Sequence, residues 1–268
     1  MKKIWLDAGH GGKDPGAVAN GLLEKELVLK MQGYMIDYLR VHYEDFYVEA
    51  TRTKDIFETL QGRARRANAW GADVFMSLHI NAGGGTGFES FIYTSPSQAS
   101  VALQDVVNQE ALAVAQKYGL GAHGGTANKR ASYSVLRETS MPAILMETAY
   151  IDSKDAALLK NKSFLRDMSE AYARGLAKFL GLKPKTQVAV VTGSKRYRLK
   201  TGTFASKAEA ERLATELKKV YEWKVVEVFP EGSQFFIRTG TFANKSIAEE
   251  MADKLKARYK WIVHVIPG

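Results

Sequence analysis

Ile4-Trp5-Leu6-Asp7-Ala8-Gly9-His10-Gly11-Gly12 carries an apolar run directly into a cluster of glycines. A short apolar run bounded by glycine reads as a buried strand, and the glycines let the chain turn sharply where it ends. Val74-Phe75-Met76-Ser77-Leu78-His79-Ile80-Asn81 and Ala143-Ile144-Leu145-Met146-Glu147 have the same apolar character. Around them, strands are expected at residues 3–6, 46–51, 74–79, 88–94 and 143–146. Helical spacing places Leu27, Met31, Tyr34, Met35 and Tyr38 on one face of a helix over 24–38. Further helices are expected at 60–70, 101–118 and 164–180. This alternation predicts an α/β domain, a largely parallel sheet with helices on both faces. Folds of this kind gather their chemistry at strand ends and in the loops after them.

The 268 residues suffice for a sizeable core and two domains, and 46% hydrophobic content describes a folded globular chain. The sequence has no cysteine, which excludes disulfides and thiolate metal sites. No apolar run approaches the ~20 residues of a membrane span. No secretory leader is legible before Asp7, so the expectation is synthesis in the cytoplasm without a signal peptide and action after lysis or release. Residues 1–185 hold 23 Lys+Arg and 20 Asp+Glu, or +3; residues 186–268 hold 15 and 9, or +6. The shorter part thus carries most of the net +9, which suits a polyanionic partner or simply a solvated basic surface.

Gly181-Leu182-Lys183-Pro184-Lys185 stops the last helix. We therefore divide the chain into a catalytic domain at 1–182, a linker at 183–195 and a second domain at 196–268. The second domain is an internal repeat. Residues 198–229 align without a gap to 236–267, and 14 of the 32 pairs are identical, including Thr201-Gly202-Thr203-Phe204-Ala205 against Thr239-Gly240-Thr241-Phe242-Ala243. Each copy reads strand, helix, strand. Two such βαβ repeats build a small α+β, ferredoxin-like domain with one shared sheet.

Four residues at apolar segments suggest chemistry. His10, Glu24 and His79 offer two imidazoles and a carboxylate, a set that can hold zinc and leave one position for water. Glu147 supplies a second carboxylate, free to act as a base toward that water. Singly, each has a plainer reading. Glu24 suits a helix start, with Glu26 as a rival; His79 suits a core; Glu147 suits a salt bridge to Arg63, Arg65 or Arg137. Arg63, Arg65 and Arg66 otherwise read as a solvated helix face. The glycines around His10 raise nucleotide binding, but Gly9-x-Gly11-x-x-Asp14 lacks the third glycine of the dinucleotide fingerprint. Asn81, and His123 in its glycine loop, are candidate substrate contacts. His42 and His264 lie at a helix end and in the repeats.

Asp7-Ala8-Gly9-His10-Gly11-Gly12-Lys13-Asp14-Pro15-Gly16-Ala17, Ser77-Leu78-His79-Ile80-Asn81-Ala82 and Pro142-Ala143-Ile144-Leu145-Met146-Glu147 resemble, in order, the motifs of the zinc-dependent N-acetylmuramoyl-L-alanine amidases of amidase type 3. The resemblance covers about residues 2–181. It implies zinc on His10, Glu24 and His79, and Glu147 as catalytic glutamate. The segment Ala149-Tyr150-Ile151-Asp152-Ser153 departs from the family's usual Gly-Phe-Ile-Ser/Thr-Asn, which bears on substrate preference. The repeats resemble SPOR wall-binding repeats, and the whole resembles a Bacillus sporulation autolysin or a phage endolysin.

The implied activity is zinc-dependent hydrolysis of the amide between N-acetylmuramic acid and L-alanine in bacterial peptidoglycan, with the repeats binding the wall. The implied partner is peptidoglycan, without nucleic acid or membrane insertion, in a monomer or a dimer formed through the C-terminal domain. Two other readings stand beside it: an inactive peptidoglycan-binding or activator protein, and a ferrous-iron oxygenase, since two histidines and a carboxylate also suit iron.

Overall fold

Alternation along three central strands decides what faces what in the computed structural model, which describes residues 1–185, 196–221, 223, 225–242 and 245–268. The chain separates into two units, Met1–Lys185 and Thr186–Gly268. In the first, strands β1 (Lys2–Ala8), β2 (Phe46–Ala50), β3 (Val74–Asn81), β4 (Glu89–Ile92), β5 (Asn128–Arg130) and β6 (Ala143–Tyr150) form one sheet in the order β2-β1-β3-β6-β4-β5. The β2-β1-β3-β6 portion is parallel, and β4 runs antiparallel to β6.

Ile4, Leu6, Met76, Leu78, Ile144 and Met146 point to one face, where helices α1 (Glu24–His42), α3 (Gln98–Ala115) and α6 (Lys162–Leu180) bury Met31, Leu103, Val107 and Phe164 against them. Each such fully buried side chain contributes about 1.5–3 kcal/mol. Trp5, Phe75, Ala143 and Leu145 point the other way, onto Ala67 of α2 (Leu60–Trp70) and onto Val135 and Leu136 of α4 (Ser134–Arg137). His79 and Glu147, in step with Phe75 and Leu145, belong to this second face. A short helix α5 (Ala156–Lys160) precedes α6.

The expected elements differ from those observed in four places. Strand β6 does not stop at Met146: Thr148, Ala149 and Tyr150 are buried, and pairing with β3 continues past a bulge to Asn81↔Tyr150. Glu147 therefore sits inside a strand rather than after one. Strand β5, Asn128-Lys129-Arg130, has no apolar residue to announce it and exists by pairing with β4 at the sheet edge. The helix expected at 101–118 starts earlier, where Ser97 Oγ accepts from the Ser100 amide. The expected linker at 183–195 begins with Lys183–Pro184 paired to Tyr43–Glu44 of the first unit, and its residues 186–195 lie outside the described residues.

In the second unit, β7 (Tyr197–Thr201), α7 (Lys207–Tyr221), β8 (Val226–Glu231), β9 (Gln234–Thr239), α8 (Lys245–Tyr259) and β10 (Val263–Pro267) follow in order. The strands form an antiparallel sheet in the order β8-β9-β7-β10, the ferredoxin-like plan. Leu213 and Leu217 of α7 and Ala252 and Leu255 of α8 share one core with Leu199 and Ile237. The repeat is legible in the hydrogen bonds: Leu199 N donates to Thr239 Oγ1 at 3.0 Å and Ile237 N donates to Thr201 Oγ1 at 2.9 Å. Each copy thus uses its threonine to satisfy a buried amide of the other.

Candidate active site

The loop after β1 is shaped by what approaches it. A Cβ on Gly9 would lie 2.3 Å from the His79 ring, and one on Gly16, whose φ is +67°, would lie 2.6 Å from Glu24 Oε2. Only glycine fits at either position. His10 itself has a φ of 57°, a sparsely populated region for a non-glycine residue, so neighbours must hold it there. Two guanidinium groups do so. Arg52 donates to the carbonyls of Ala8 (3.0 Å) and Gly9 (2.8 Å), and Arg63 to those of Ala8 (2.9 Å) and His10 (2.8 Å). Arg63 also meets Asp7 at 2.8 Å, and Asp7 accepts from Ser77 Oγ at 2.7 Å. Arg63 is therefore buried, at 3% exposure, and does not belong to a solvated helix face; Arg65 does, while Arg66 is exposed but donates to the Thr51 carbonyl at 2.6 Å and lies 5.5 Å over the Trp5 ring. The difference is the pocket of carbonyls and carboxylate beneath position 63, which a helical pattern alone does not reveal.

His10, Glu24 and His79 converge, with one donor atom from each lying within 4.8 Å of the others. Glu24 opens α1 and is buried, whereas its rival Glu26 is exposed. Glu24 Oε1 lies 3.1 Å from His10 Nε2 and 2.9 Å from His79 Nδ1, and accepts from Ile80 N at 3.0 Å; Oε2 accepts from Ala17 N at 2.8 Å. Burial alone would raise the Glu24 pKa, but hydrogen bonds to the two imidazoles outweigh it and hold the carboxyl far below its ordinary range. For His10, burial works downward and is overcome by Glu24 and Asp14, so its pKa is raised. Asp14 Oδ2 lies 2.9 Å from His10 Nδ1 and so directs Nε2 toward Glu24. An outer carboxylate of this kind fixes the orientation of a ligating imidazole. Asp14 was legible as the fourth residue after His10 but carries no signal of its own in the sequence.

Glu147 is the register partner of His79 on the adjacent parallel strand. Among the described residues its Oε2 is buried with no hydrogen-bond partner, and none of Arg63, Arg65 or Arg137 pairs with it. Burial, then Glu24 and Glu89, push its pKa well above the usual carboxylate range. Glu89, unremarked in the sequence, faces Glu147 across the β4–β6 pair and is 6% exposed. It accepts from Asn81 Nδ2 at 2.7 Å and from Tyr150 Oη at 3.4 Å. Asn81 is thus committed to Glu89, with its oxygen accepting from Ala82 N. His123 Nδ1 lies 3.0 Å from the Thr86 carbonyl, with its ring 5.1 Å from Tyr150. Neither Asn81 nor His123 joins the His10–Glu24–His79 group.

A carboxylate between two imidazoles, with donor atoms close enough to share one ion, suits a divalent metal, and an adjacent half-buried glutamate whose Oε2 is buried without a hydrogen-bond partner among the described residues suits proton transfer. Together they define the kind of centre found in metal-assisted hydrolases. The family model for N-acetylmuramoyl-L-alanine amidase matches residues 4–178, and that for the SPOR domain matches residues 168–222. An endolysin of Bacillus phage SPP1 is 49% identical over 189 residues, covering 69% of this chain and 68% of its own. The sporulation-specific N-acetylmuramoyl-L-alanine amidase of Bacillus subtilis strain 168 is 40% identical over 216 residues, 80% of each chain. The solved catalytic domain of CwlV, an N-acetylmuramoyl-L-alanine amidase from Bacillus (Paenibacillus) polymyxa var. colistinus, superposes with a TM-score of 0.63 at 31% identity, covering 68% of this chain and 100% of that one. The chain belongs to the N-acetylmuramoyl-L-alanine amidase family, and its SPOR match begins within α6 of the first unit and runs into the first repeat of the second.

Proposed function

We propose that this amidase is zinc-dependent, that Glu147 is its general base and acid, and that the C-terminal unit tethers it to the bacterial wall. The observation that carries the first two parts is the pairing of the His10–Glu24–His79 group with Glu147 on the neighbouring strand, whose Oε2 is buried without a hydrogen-bond partner among the described residues. His10, Glu24 and His79 would hold the zinc, which would supply a water of pKa ~7 and polarise the scissile carbonyl. Glu147 accepts one proton of the attacking water as its oxygen bonds to the lactyl carbonyl carbon. It returns that proton to the amide nitrogen as the C–N bond breaks and L-alanine leaves as an amine. Burial makes Glu147 a stronger base than an exposed carboxylate, which favours the first transfer. Asp14 holds the His10 ring, and Arg52 and Arg63 hold the backbone beneath it. The set also suits ferrous iron; the base beside it favours hydrolysis.

The wall-binding part is supported by the outer sheet face of the second unit. Phe229 and Phe236 stack with centroids 5.6 Å apart, with Arg238 3.9 Å over the first ring and Lys200 4.4 Å over the second. Stacked rings flanked by cations suit sugar rings and anionic polymers. Tethering raises the effective substrate concentration without altering the chemistry. Glu147→Ala protein should retain one zinc and release no L-alanine amine, and residues 1–185 alone should hydrolyse small muropeptides but sediment poorly with walls. Turnover by the Glu147→Ala protein would refute the assignment of the base, and equal sedimentation of truncated and intact chains would refute the tether.

A further inference from the structure

His10 and Glu24 come from different segments, the loop after β1 and the first turn of α1. The donors of a metal site must be held to within about 0.5 Å, so something has to fix the distance between these two segments. Backbone bonds do this at the far end of the loop, where Lys25 N donates to the Pro15 carbonyl and Glu24 N to that of Ala17. At the near end, beside His10, side chains do the joining. Lys25, the residue after Glu24, donates from Nζ to the Gly12 carbonyl at 3.0 Å and to Asp55 Oδ2 at 2.7 Å. Asp55 Oδ1 accepts from the Gly12 amide at 2.7 Å. Lys25 and Asp55 thus grip both polar backbone groups of Gly12, two residues from His10. Resting on the zinc reading above, we propose that Asp55 is a positioning residue for the metal group: without touching the ion, it ties the loop that carries His10 to the helix start that carries Glu24, and so sets how tightly zinc is held.

The segment that bears Asp55 is seated on the same loop. A Cβ on Gly11, whose φ is +125°, would lie 2.3 Å from the Ile56 carbonyl oxygen, and one on Gly12, whose φ is +58°, would lie 2.7 Å from the Phe57 amide nitrogen. Arg52, in the same segment, donates to the carbonyls of Gly9 at 2.8 Å and Lys25 at 2.7 Å. Residues 52–57 therefore touch the backbone on both sides of His10 and the residue beside Glu24. The Lys25 side chain is 14% exposed and that of Asp55 is 51% exposed. An ion pair with so exposed a partner adds little to the stability of the whole fold. Its charge-assisted bonds instead act locally, on one glycine between two ligand-bearing segments.

The test measures zinc affinity, by competition with a chromophoric chelator, for the full-length wild type, Asp55→Ala, Asp55→Asn, Lys25→Met, and Asp55→Ala combined with Lys25→Met. The melting temperature of each is taken after chelation. Asp55→Ala should bind zinc about ten-fold more weakly, with its melting temperature lowered by no more than about 4 °C. Asp55→Asn keeps an acceptor for the Gly12 amide and loses the charge, so its affinity should fall between the two. Because both side chains act on one glycine, the combined variant should bind about as weakly as the weaker single variant. Unchanged affinity in Asp55→Ala, or losses that multiply in the combined variant, would overturn the proposal. A large fall in melting temperature for Asp55→Ala, with wild-type affinity in Asp55→Asn, would assign Asp55 to the fold alone and overturn it as well. A wild type that binds no zinc would overturn the zinc reading beneath it.

Discussion

His79 and Glu147 are register partners on adjacent parallel strands, so one backbone pairing fixes both the imidazole proposed to hold the metal and the carboxylate proposed as the base. Neither depends on a loop for its position. Glu147→Gln keeps the shape and removes the base, so kcat should fall by about 10²–10⁴-fold with zinc content unchanged. Full zinc loading with wild-type turnover would contradict the role of the base.

The same substitution should stabilise the metal-free protein. The Glu147 pKa is raised in the fold, so between its ordinary value of 4.5 and the native value the folded state binds the proton more tightly than the unfolded chain. Stability is then lost as pH rises through that window. Glu147→Gln removes this dependence, and chemical denaturation of chelated protein at pH 8 should show a gain of roughly 1–3 kcal/mol, shrinking toward pH 4. A gain independent of pH would show that burial of the ionised carboxylate is not its cause.

Asp14 orients His10 without touching the shared ion position. Asp14→Ala should weaken zinc binding by about 10–100-fold while leaving the fold intact. Competition with a chromophoric chelator measures the affinity, and an unchanged value would show that His10 is held by Arg52 and Arg63 alone.

The Arg63–Asp7 pair is almost wholly buried, with exposures of 3% and 1%. Arg63→Ala leaves Asp7 without its cation and removes hydrogen bonds to the carbonyls of Glu58, Ala8 and His10, so unfolding free energy should drop by about 3–5 kcal/mol. Arg65→Ala, on the exposed face of the same helix, should change it by less than about 0.5 kcal/mol. Equal effects would contradict the placement of these side chains.

Much of the fold and the site was legible in the sequence because apolar alternation and glycine placement carry it. The runs at Ile4, Val74 and Ala143 announced the three central strands, and the residues at their ends named the candidate ligands and base. The repeat announced the second unit through its identities. What stayed hidden lies in partnerships between distant segments. Glu89 becomes notable only when β4 brings it opposite Glu147. Arg63 looks like its exposed neighbour Arg65 until Asp7 and the His10 carbonyl close over it. Strand β5 is polar throughout and is a strand only because β4 is beside it.

Identifying the chemical ends that the full-length protein makes in peptidoglycan decides whether it cleaves the muramoyl–alanine amide with a bound metal. Free L-alanine amino groups should appear without new reducing sugar ends, and they should vanish on chelation and return with zinc. New reducing ends would mean that a glycosidic bond is cut, and cleavage indifferent to chelation would mean that no metal takes part.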